Sequence, residues 1–300
     1  MARPKKIEVG VINITTHPHS PEGYLNLFYD VVKEKRVASY RGAESLMLGS
    51  FGKIEGKPAA EGIWGNIYLF VEIDNKAPVL DIDTGQPIVS EDGEVTFPVP
   101  EKLKPNLKCI EFVFFPDGHR LFFNISSAPL RHETVRQISP NSLAASLEKL
   151  FYSENLYKNY GTVNVVAEKD SKLIDDILNI QHITRLFVDM ALPNGDDVSR
   201  QKKRILDKLK YEKAKKYQVQ LVGDKKDGLR PSEETIAIME IATSNGKIAA
   251  EGYTIGEKVS ISTFDHPILI RDRYNKETES SLRAVLRLAK NSLSKFTKRK

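Results

Sequence analysis

A strand–helix–strand pattern at residues 161–194 constrains the fold of this chain more than any other stretch. Residues 162–167 are rich in β-branched side chains, Asp170 or Ser171 can cap a short helix, and residues 183–192 form a second apolar strand that ends at Pro-Asn-Gly. A cationic helix and a series of strands follow directly. We therefore expect the later part of the chain to pack around this unit.

The first hundred-odd residues predict a mostly antiparallel sheet with one helix. The clearest signal is a hairpin, in which the apolar runs 109–115 and 120–125 are joined by the turn sequence PDGH. Further strands are expected at residues 6–14, 46–54 and 63–73. Residues 24–34 place their apolar side chains on one face, which is typical of an amphipathic helix.

The second half predicts an α/β unit that resembles a split βαβ, followed by a strand meander and a C-terminal helix. The expected elements are helices at 142–152, 198–217 and 278–296, and strands at 217–222, 236–242, 247–253 and 258–263, with a hairpin turn at Ser244-Asn245-Gly246. The fold class is therefore α+β. Regions 1–130 and 131–300 are the expected units, and a single continuous domain remains an alternative.

Charge is distributed very unevenly along the chain, although the net charge is only +5. Residues 1–6, 198–217 and 283–300 together carry +17, so the rest of the chain carries −12. Such segregation of charge indicates what kind of partner the protein binds and does not indicate its fold.

The basic helix predicted at 198–217 is the strongest functional signal, because it nets +7 over twenty residues. If it meets the basic C-terminus, the two segments form a surface that follows a phosphate backbone without reading bases. The chain is then a nucleic-acid-binding protein, with double-stranded DNA ahead of RNA as its ligand. The candidate binding residues are Arg200, Lys202, Lys203, Arg204, Lys210, Lys213, Lys216, Lys295, Lys298 and Arg299.

Several classes of site find no support in the sequence. Neither glycine pair, Gly49/Gly52 or Gly62/Gly65, fits a phosphate-binding fingerprint, so no cofactor is expected. The His17/His19 pair would need a bent loop to share one metal. Cys109, the only cysteine, lies in an apolar run that favours a buried thiol. Without a signal peptide or a membrane-length apolar run, we expect a cytoplasmic protein with no membrane partner.

Two other functions stay open at this point. Asp189, Asp196 and Asp197 cluster near the end of the strand–helix–strand unit, where a metal-dependent nuclease would hold a divalent ion. The alternative for this group is a solvated turn whose aspartates cap the next helix. The basic surface could equally serve an adaptor that binds an acidic protein. A second copy of the chain and a partner protein from a defence system remain further candidate partners.

The order of elements in the second half resembles that of two families of phage-related proteins. A hairpin and a helix lead to GTVNVVAEKD, LNIQHITRLFVDMALPN, the basic helix and MEIATSNGKIAAEGYT, a layout over residues 105–265 that is similar to the RexA exclusion proteins and the KwaB subunits of the Kiwa system. The opening IEVGVINITTHPHSPEGYLNLF resembles a bacterial family of unknown function linked to defence loci. These likenesses imply a non-enzymatic, sequence-independent DNA-binding protein in anti-phage defence.

Overall fold

The computed structural model of the protein describes residues 4–74, 79–80, 82–88, 100, 102–129, 136–192 and 200–297. In chain order its strands and helices are β1 (Lys5–Thr15), α1 (Pro21–Lys33), β2 (Ala38–Arg41), β3 (Glu44–Lys53), β4 (Ile63–Val71), β5 (Val79–Leu80), β6 (Pro87–Ile88), β7 (Lys108–Phe115), β8 (Arg120–Asn124), β9 (Ser126–Pro129), β10 (Arg136–Gln137), α2 (Pro140–Leu150), α3 (Glu154–Tyr160), β11 (Asn164–Ala167), α4 (Lys172–Leu178), β12 (His182–Ala191), α5 (Arg200–Tyr211), β13 (Lys216–Val222), α6 (Glu233–Asn245), β14 (Gly246–Thr254), β15 (Glu257–Ser262), β16 (Leu269–Tyr274) and α7 (Ser281–Thr297). The predicted α+β class is confirmed.

The larger of the two main sheets contains ten strands, and its central order is β11-β1-β8-β7-β4-β3-β2. The predicted hairpin is present as β7 and β8, which pair antiparallel from Phe112–Phe123 to Phe115–Arg120. One edge of β1 carries two strands from the later chain, because β11 pairs with its second half and β16 with its first half. The first sheet is therefore completed by residues far downstream in the sequence.

Both faces of the first sheet are covered. Helices α1 and α2 pack on one face, where the ring of Phe28 stacks on Phe114 with centroids 5.0 Å apart. Helix α7 covers the other face, where Phe296 packs edge-on against Phe122 at 5.9 Å. Each large apolar side chain buried in these layers stabilises the fold by about 1.5–3 kcal/mol. The sheet is thus the middle layer of three.

The second sheet has four strands in the order β13-β12-β14-β15. Its apolar face packs against α4, α5 and α6, and the shared core includes Leu186, Val188 and Met190 of β12. The alternate residues point to the opposite face, which is polar. On β13, for example, half-buried positions alternate strictly with exposed ones, as expected for a strand with one covered face.

Helix α6 corrects the prediction of a strand at residues 236–242. Ser232 caps this helix by accepting a hydrogen bond from the Thr235 amide, and two glutamates in the first turn favour the helix dipole. The isoleucines suggested a strand, but α6 is buried on several sides between the second sheet and β11, so apolar residues occur all round it. Asn245 consequently ends a helix instead of forming a hairpin turn.

The strand–helix–strand order at residues 161–194 is present as β11, α4 and β12, but the two strands belong to different sheets. β11 pairs antiparallel with β1, whereas β12 pairs with β13 and β14. The buried Glu168 that follows β11 explains this placement, because its carboxylate forms an ion pair with Arg120 of the first sheet. The expected split βαβ unit within one sheet is therefore wrong.

The basic helix is shorter than predicted. α5 ends at Tyr211, and Lys213 adopts a left-handed conformation with φ of 54°. The Ala214 amide donates to the Leu209 carbonyl and the Lys213 amide to the Lys210 carbonyl, the pattern of a Schellman motif. The chain is thereby redirected into β13, which begins at Lys216.

The expected unit boundary near residue 130 falls in residues 130–135, for which no structure is described. Strands β11 and β16 and helix α7 come from the far side of that boundary, and all three contact the first sheet. In the described ranges no helix combines the length and the apolar character needed to cross a bilayer.

Candidate nucleic-acid interface

The apolar edge of α5 fixes its orientation. Ile205, Leu206 and Leu209 are 8%, 2% and 2% exposed, and the helix packs against α6 through this edge. Because these three residues occupy one side, the remaining basic positions are directed away from the core. The structure thus presents most of the predicted cationic residues to solvent.

The predicted residues between the start of α5 and the start of β13 do not all share one environment. The side chains of Lys203, Arg204, Lys210, Lys213 and Lys216 are exposed. Lys202 differs, because its ammonium lies 3.0 Å from a carboxylate oxygen of Glu240 on α6 and its side chain is only 12% exposed. Its charge is therefore already compensated within the protein. Arg200 is the first residue of α5.

Helix α7, which carries the described part of the basic C-terminus, packs on a different sheet from α5. Lys295 is exposed on α7, which lies on the first sheet, whereas α5 packs on the helical layer of the second sheet. Lys298 and Arg299 fall beyond residue 297, the last one described. Lys295 and the cations on α5 thus belong to separate layers of the molecule.

A groove of about 440 Å³ runs between α5 and α6. Arg204 and Lys208 line it on the α5 side, and Glu233 and Glu234 line it on the α6 side. Two of the exposed cations therefore face carboxylates. Lys203 and Lys210 lie two helical turns apart on another side of α5, and Lys213 follows in the turn after the helix; we call these three exposed lysines the cationic side.

Two lysines of this region were counted in the charge of the basic segment but were not among the predicted site residues. Lys208 lies over the ring of Tyr217 at 6.0 Å. Lys215 donates a hydrogen bond of 3.0 Å to the Tyr157 hydroxyl of α3, and so ties the start of β13 to the helical layer of the first sheet. Tyr157 is distant in sequence from Lys215, so no local pattern could have marked that contact.

The carboxylates proposed for a nuclease are only partly described. Asp189 lies on β12, while Asp196 and Asp197 fall in the undescribed stretch 193–199. Within the part of the chain that the structure describes, no group of three or more histidine, cysteine, aspartate or glutamate side chains is placed to hold a metal ion.

A buried network of polar side chains, which we call the polar junction, joins the two sheets. Arg120 Nε lies 2.7 Å from Glu168 Oε1, and Ser244 Oγ of α6 donates to the other oxygen of the same carboxylate at 2.9 Å. Asn13 of β1 accepts from Arg120 at 2.7 Å and donates to Asn245 at 3.0 Å. The charges are buried but paired and hydrogen-bonded, as buried ions require.

Three histidines lie beside the polar junction. His119, at the β7–β8 turn, packs edge-on against His19 with ring centroids 4.9 Å apart. Burial, Arg120 and His19 together lower the pKa of His119 to about 3, so its ring is neutral at physiological pH. The His17 ring nitrogen Nε2 is hydrogen-bonded to the Leu192 carbonyl at 2.9 Å, a contact between the end of β1 and the end of β12. Burial also lowers the pKa of His17.

A cleft of about 250 Å³ opens where α2 and β11 approach the polar face of the second sheet. The charged side chains that line it are Glu148, Lys169, Asp189, Lys216 and Lys247. Burial raises the pKa of Glu148 and lowers that of Lys169 to about 8. Only Asp189 and Lys216 of this set were singled out from the sequence, because the cleft forms between elements that are distant along the chain.

Comparison with known protein families assigns the chain. A family model described as "Domain of unknown function (DUF4747)" matches residues 5–290, which is nearly the whole sequence. The chain belongs to the DUF4747 family. A search of curated proteins finds no match. Because the DUF4747 match extends from β1 into α7, both sheets, the basic helix and the cleft all lie inside the family region.

Proposed function

We propose that this DUF4747 protein binds nucleic acid without sequence preference, double-stranded DNA ahead of RNA, in bacterial anti-phage defence. The observation that carries this proposal is the cationic side, where Lys203 and Lys210 are exposed on a helix anchored by its buried apolar edge and Lys213 is exposed in the turn that follows the helix. The link to defence, and with it a cytoplasmic location beside phage DNA, rests on the similarity of element order to RexA and KwaB proteins.

The mechanism of binding is electrostatic. Each ammonium that neutralises a phosphate releases condensed counterions, so the logarithm of the binding constant falls with the logarithm of salt by about 0.9 per phosphate contacted. Lysines act as flexible point charges, which position a phosphate backbone but do not read base edges. Binding through the cationic side is therefore expected to tolerate any sequence.

Fluorescence anisotropy with labelled duplex DNA, titrated at several salt concentrations, tests the proposal. Charge reversal at Lys203, Lys210 and Lys213 should reduce the salt slope by about 3 and weaken binding at low salt by more than tenfold. Lys202 is left unchanged, because a glutamate there would lie beside Glu240 and disturb the packing of α5 on α6.

A matched control reverses three exposed lysines elsewhere, Lys33, Lys53 and Lys276, and so changes the net charge of the protein equally. If both triple variants weaken binding to the same extent, the effect comes from overall charge and the assignment to α5 is wrong. A binding constant that does not change with salt, or no binding to duplex DNA at low salt, contradicts the proposal as a whole.

Two assays on the purified protein distinguish DNA binding from the nuclease and adaptor functions. A pure DNA-binding protein leaves plasmid intact in the presence of Mg²⁺ or Mn²⁺, whereas nicking that is lost in an Asp189→Asn variant indicates a nuclease. Co-purification of an acidic protein without nucleic acid indicates an adaptor. The ratio of absorbance at 260 and 280 nm shows whether nucleic acid is bound.

A further inference from the structure

The cleft between α2 and the second sheet contains a lysine whose environment is unusual for a structural residue. Lys169 is 2% exposed, and its ammonium donates a 2.6 Å hydrogen bond to the side-chain oxygen of Asn141 on α2. The negative charge of the adjacent Glu168 raises the pKa of Lys169, but that carboxylate is already paired with Arg120. Among the residues described, none forms a carboxylate ion pair with Lys169 itself.

A buried ammonium without its own counter-charge is costly, and desolvation accordingly lowers the pKa of Lys169 to about 8. Proteins keep such a group where its charge is used, which makes a buried lysine on the wall of a cleft a candidate for binding an anion. Lys216 and Lys247 extend the same wall, from the first residues of β13 and β14. Three lysine side chains therefore line one cavity, and the ammonium of Lys247 also lies over the ring of Phe187 at 5.6 Å.

The other lining groups suggest what the anion is attached to. Glu148 of α2 and Asp189 of β12 supply carboxylate oxygens, which accept hydrogen bonds from hydroxyl or amino groups. Phe264 stands at the same cleft with 52% of its surface exposed, and Lys169 lies 5.9 Å from its ring centre. An exposed aromatic ring beside ammonium groups is the arrangement on which nucleobases stack.

We propose that this cleft binds a nucleoside phosphate, with Lys169, Lys216 and Lys247 around the phosphate, Glu148 and Asp189 toward hydroxyl or amino groups, and Phe264 against the base. The proposal goes beyond DNA binding by the basic helix and does not depend on it. The phosphate can belong to a free nucleotide or to the terminal nucleotide of a strand, and the ligands used in the test separate these sources.

Isothermal titration calorimetry of the full chain with AMP, GMP, CMP, UMP and inorganic phosphate provides the test. Lys169→Met removes the ammonium and keeps the length of the side chain, and Lys247→Gln removes the charge of an exposed lysine and keeps a polar side chain. Each should weaken nucleotide binding by about tenfold or more, the value of a charge-assisted hydrogen bond. Phe264→Ala should weaken nucleotide binding about tenfold and leave phosphate binding unchanged.

The pH dependence provides a readout specific to the buried amine. Wild-type affinity should fall as the pH is raised through about 8, where Lys169 loses its proton, and this dependence should be absent in Lys169→Met. If Lys169→Met does not fold, Lys247→Gln and Phe264→Ala carry the test. Lys225→Gln, at an exposed lysine that is not part of the cleft lining, should bind nucleotides like wild type.

Three outcomes overturn the proposal: no measurable nucleotide binding at about 10 mM, equal affinity in wild type and both Lys247→Gln and Phe264→Ala, or inorganic phosphate binding as tightly as every nucleotide. Oligonucleotides with and without a 5′-phosphate then show whether a strand terminus occupies the cleft. The triple reversal on the cationic side should leave mononucleotide binding intact, so failure of the DNA-binding proposal and failure of this one are distinguishable.

Discussion

Two charged residues show most clearly that burial cannot be predicted from the local sequence. Glu168 and Lys169 are two successive charged residues after β11, yet they are 0% and 2% exposed. Glu168 is stabilised by Arg120, and Lys169 by Asn141. Neither partner is near in sequence, so the burial of these charges could not have been predicted from their local pattern.

His119 gives the stability of the protein a defined dependence on pH. Its pKa is about 3 in the folded protein and close to 6.5 when exposed, so between these values only the unfolded state binds the proton. Stability should be complete above about pH 6.5 and should fall on acidification toward pH 3, by up to about 1.4 kcal/mol per pH unit. Urea unfolding between about pH 7 and pH 5 measures this slope.

His119→Asn is the informative variant for that measurement, because asparagine tolerates the left-handed backbone at this position, where φ is 55°. The variant should have a flatter pH slope than wild type, while His266→Asn, at an exposed histidine, should keep the wild-type slope. Identical slopes in all three proteins would show that His119 does not control the acid sensitivity.

At the scale of elements, most helices and strands were predictable because their signals are local. The hairpin of β7 and β8, the strand β1 and the helices α1, α2, α5 and α7 all follow apolar periodicity with caps or turns at their ends. Two of the errors, the strand predicted at residues 236–242 and the single sheet expected for β11 and β12, have a common cause. α6 and β11 are placed by contacts with partners distant in the chain, and such contacts override local propensity.

The junction of α6 and β14 depends on a close approach of two backbones. A Cβ at Gly246 would lie 1.9 Å from the carbonyl oxygen of Asp189, which no side-chain movement can relieve. We expect Gly246→Ala to lower the free energy of unfolding by about 3 kcal/mol, as severe overpacking does. Chemical denaturation measures the loss, and hydrogen exchange should show it first in β12 and β14.

Gly52→Ala is the matched control, since the nearest atom to a Cβ there is 3.8 Å away. Its stability should lie within about 0.5 kcal/mol of wild type. Equal losses in the two variants would mean that the close contact at Gly246 is not what limits the size of its side chain.

For the whole molecule, the polar junction connects the first sheet with the second. Asn13 and Arg120 contribute from the first sheet, Ser244 and Asn245 from the end of α6, and Glu168 from the segment after β11. Strand β16 and helix α7 then return the chain to the first sheet. The second sheet therefore lies between two segments that are both anchored in the first.

This arrangement predicts a single cooperative unfolding transition. Fluorescence of Trp64, the only tryptophan, which lies on β4, and far-ultraviolet circular dichroism of the whole chain should give coincident curves. Arg120→Met should shift both curves together, with a loss of about 3–5 kcal/mol, because it leaves the Glu168 carboxylate buried and unpaired.

Lys57→Met breaks an exposed ion pair with Glu61 and serves as the control, with an expected change of about 0.3–0.5 kcal/mol. Two separated transitions in the wild-type protein would instead show that the sheets unfold independently and that the polar junction does not couple them.

The sequence by itself determined the α+β class, the antiparallel character of the first half and the amphipathic, cationic character of α5, because hydrophobic periodicity, turn residues and charge are properties of neighbouring positions. Only the tertiary structure decided that β11 joins β1, that α6 is a helix, that Lys202 is neutralised by Glu240 and that Lys169 lines a cleft. Each of these features depends on which distant residue supplies the hydrogen bonds, the counter-charge or the apolar cover. The free energy of such contacts is gained only when the chain folds.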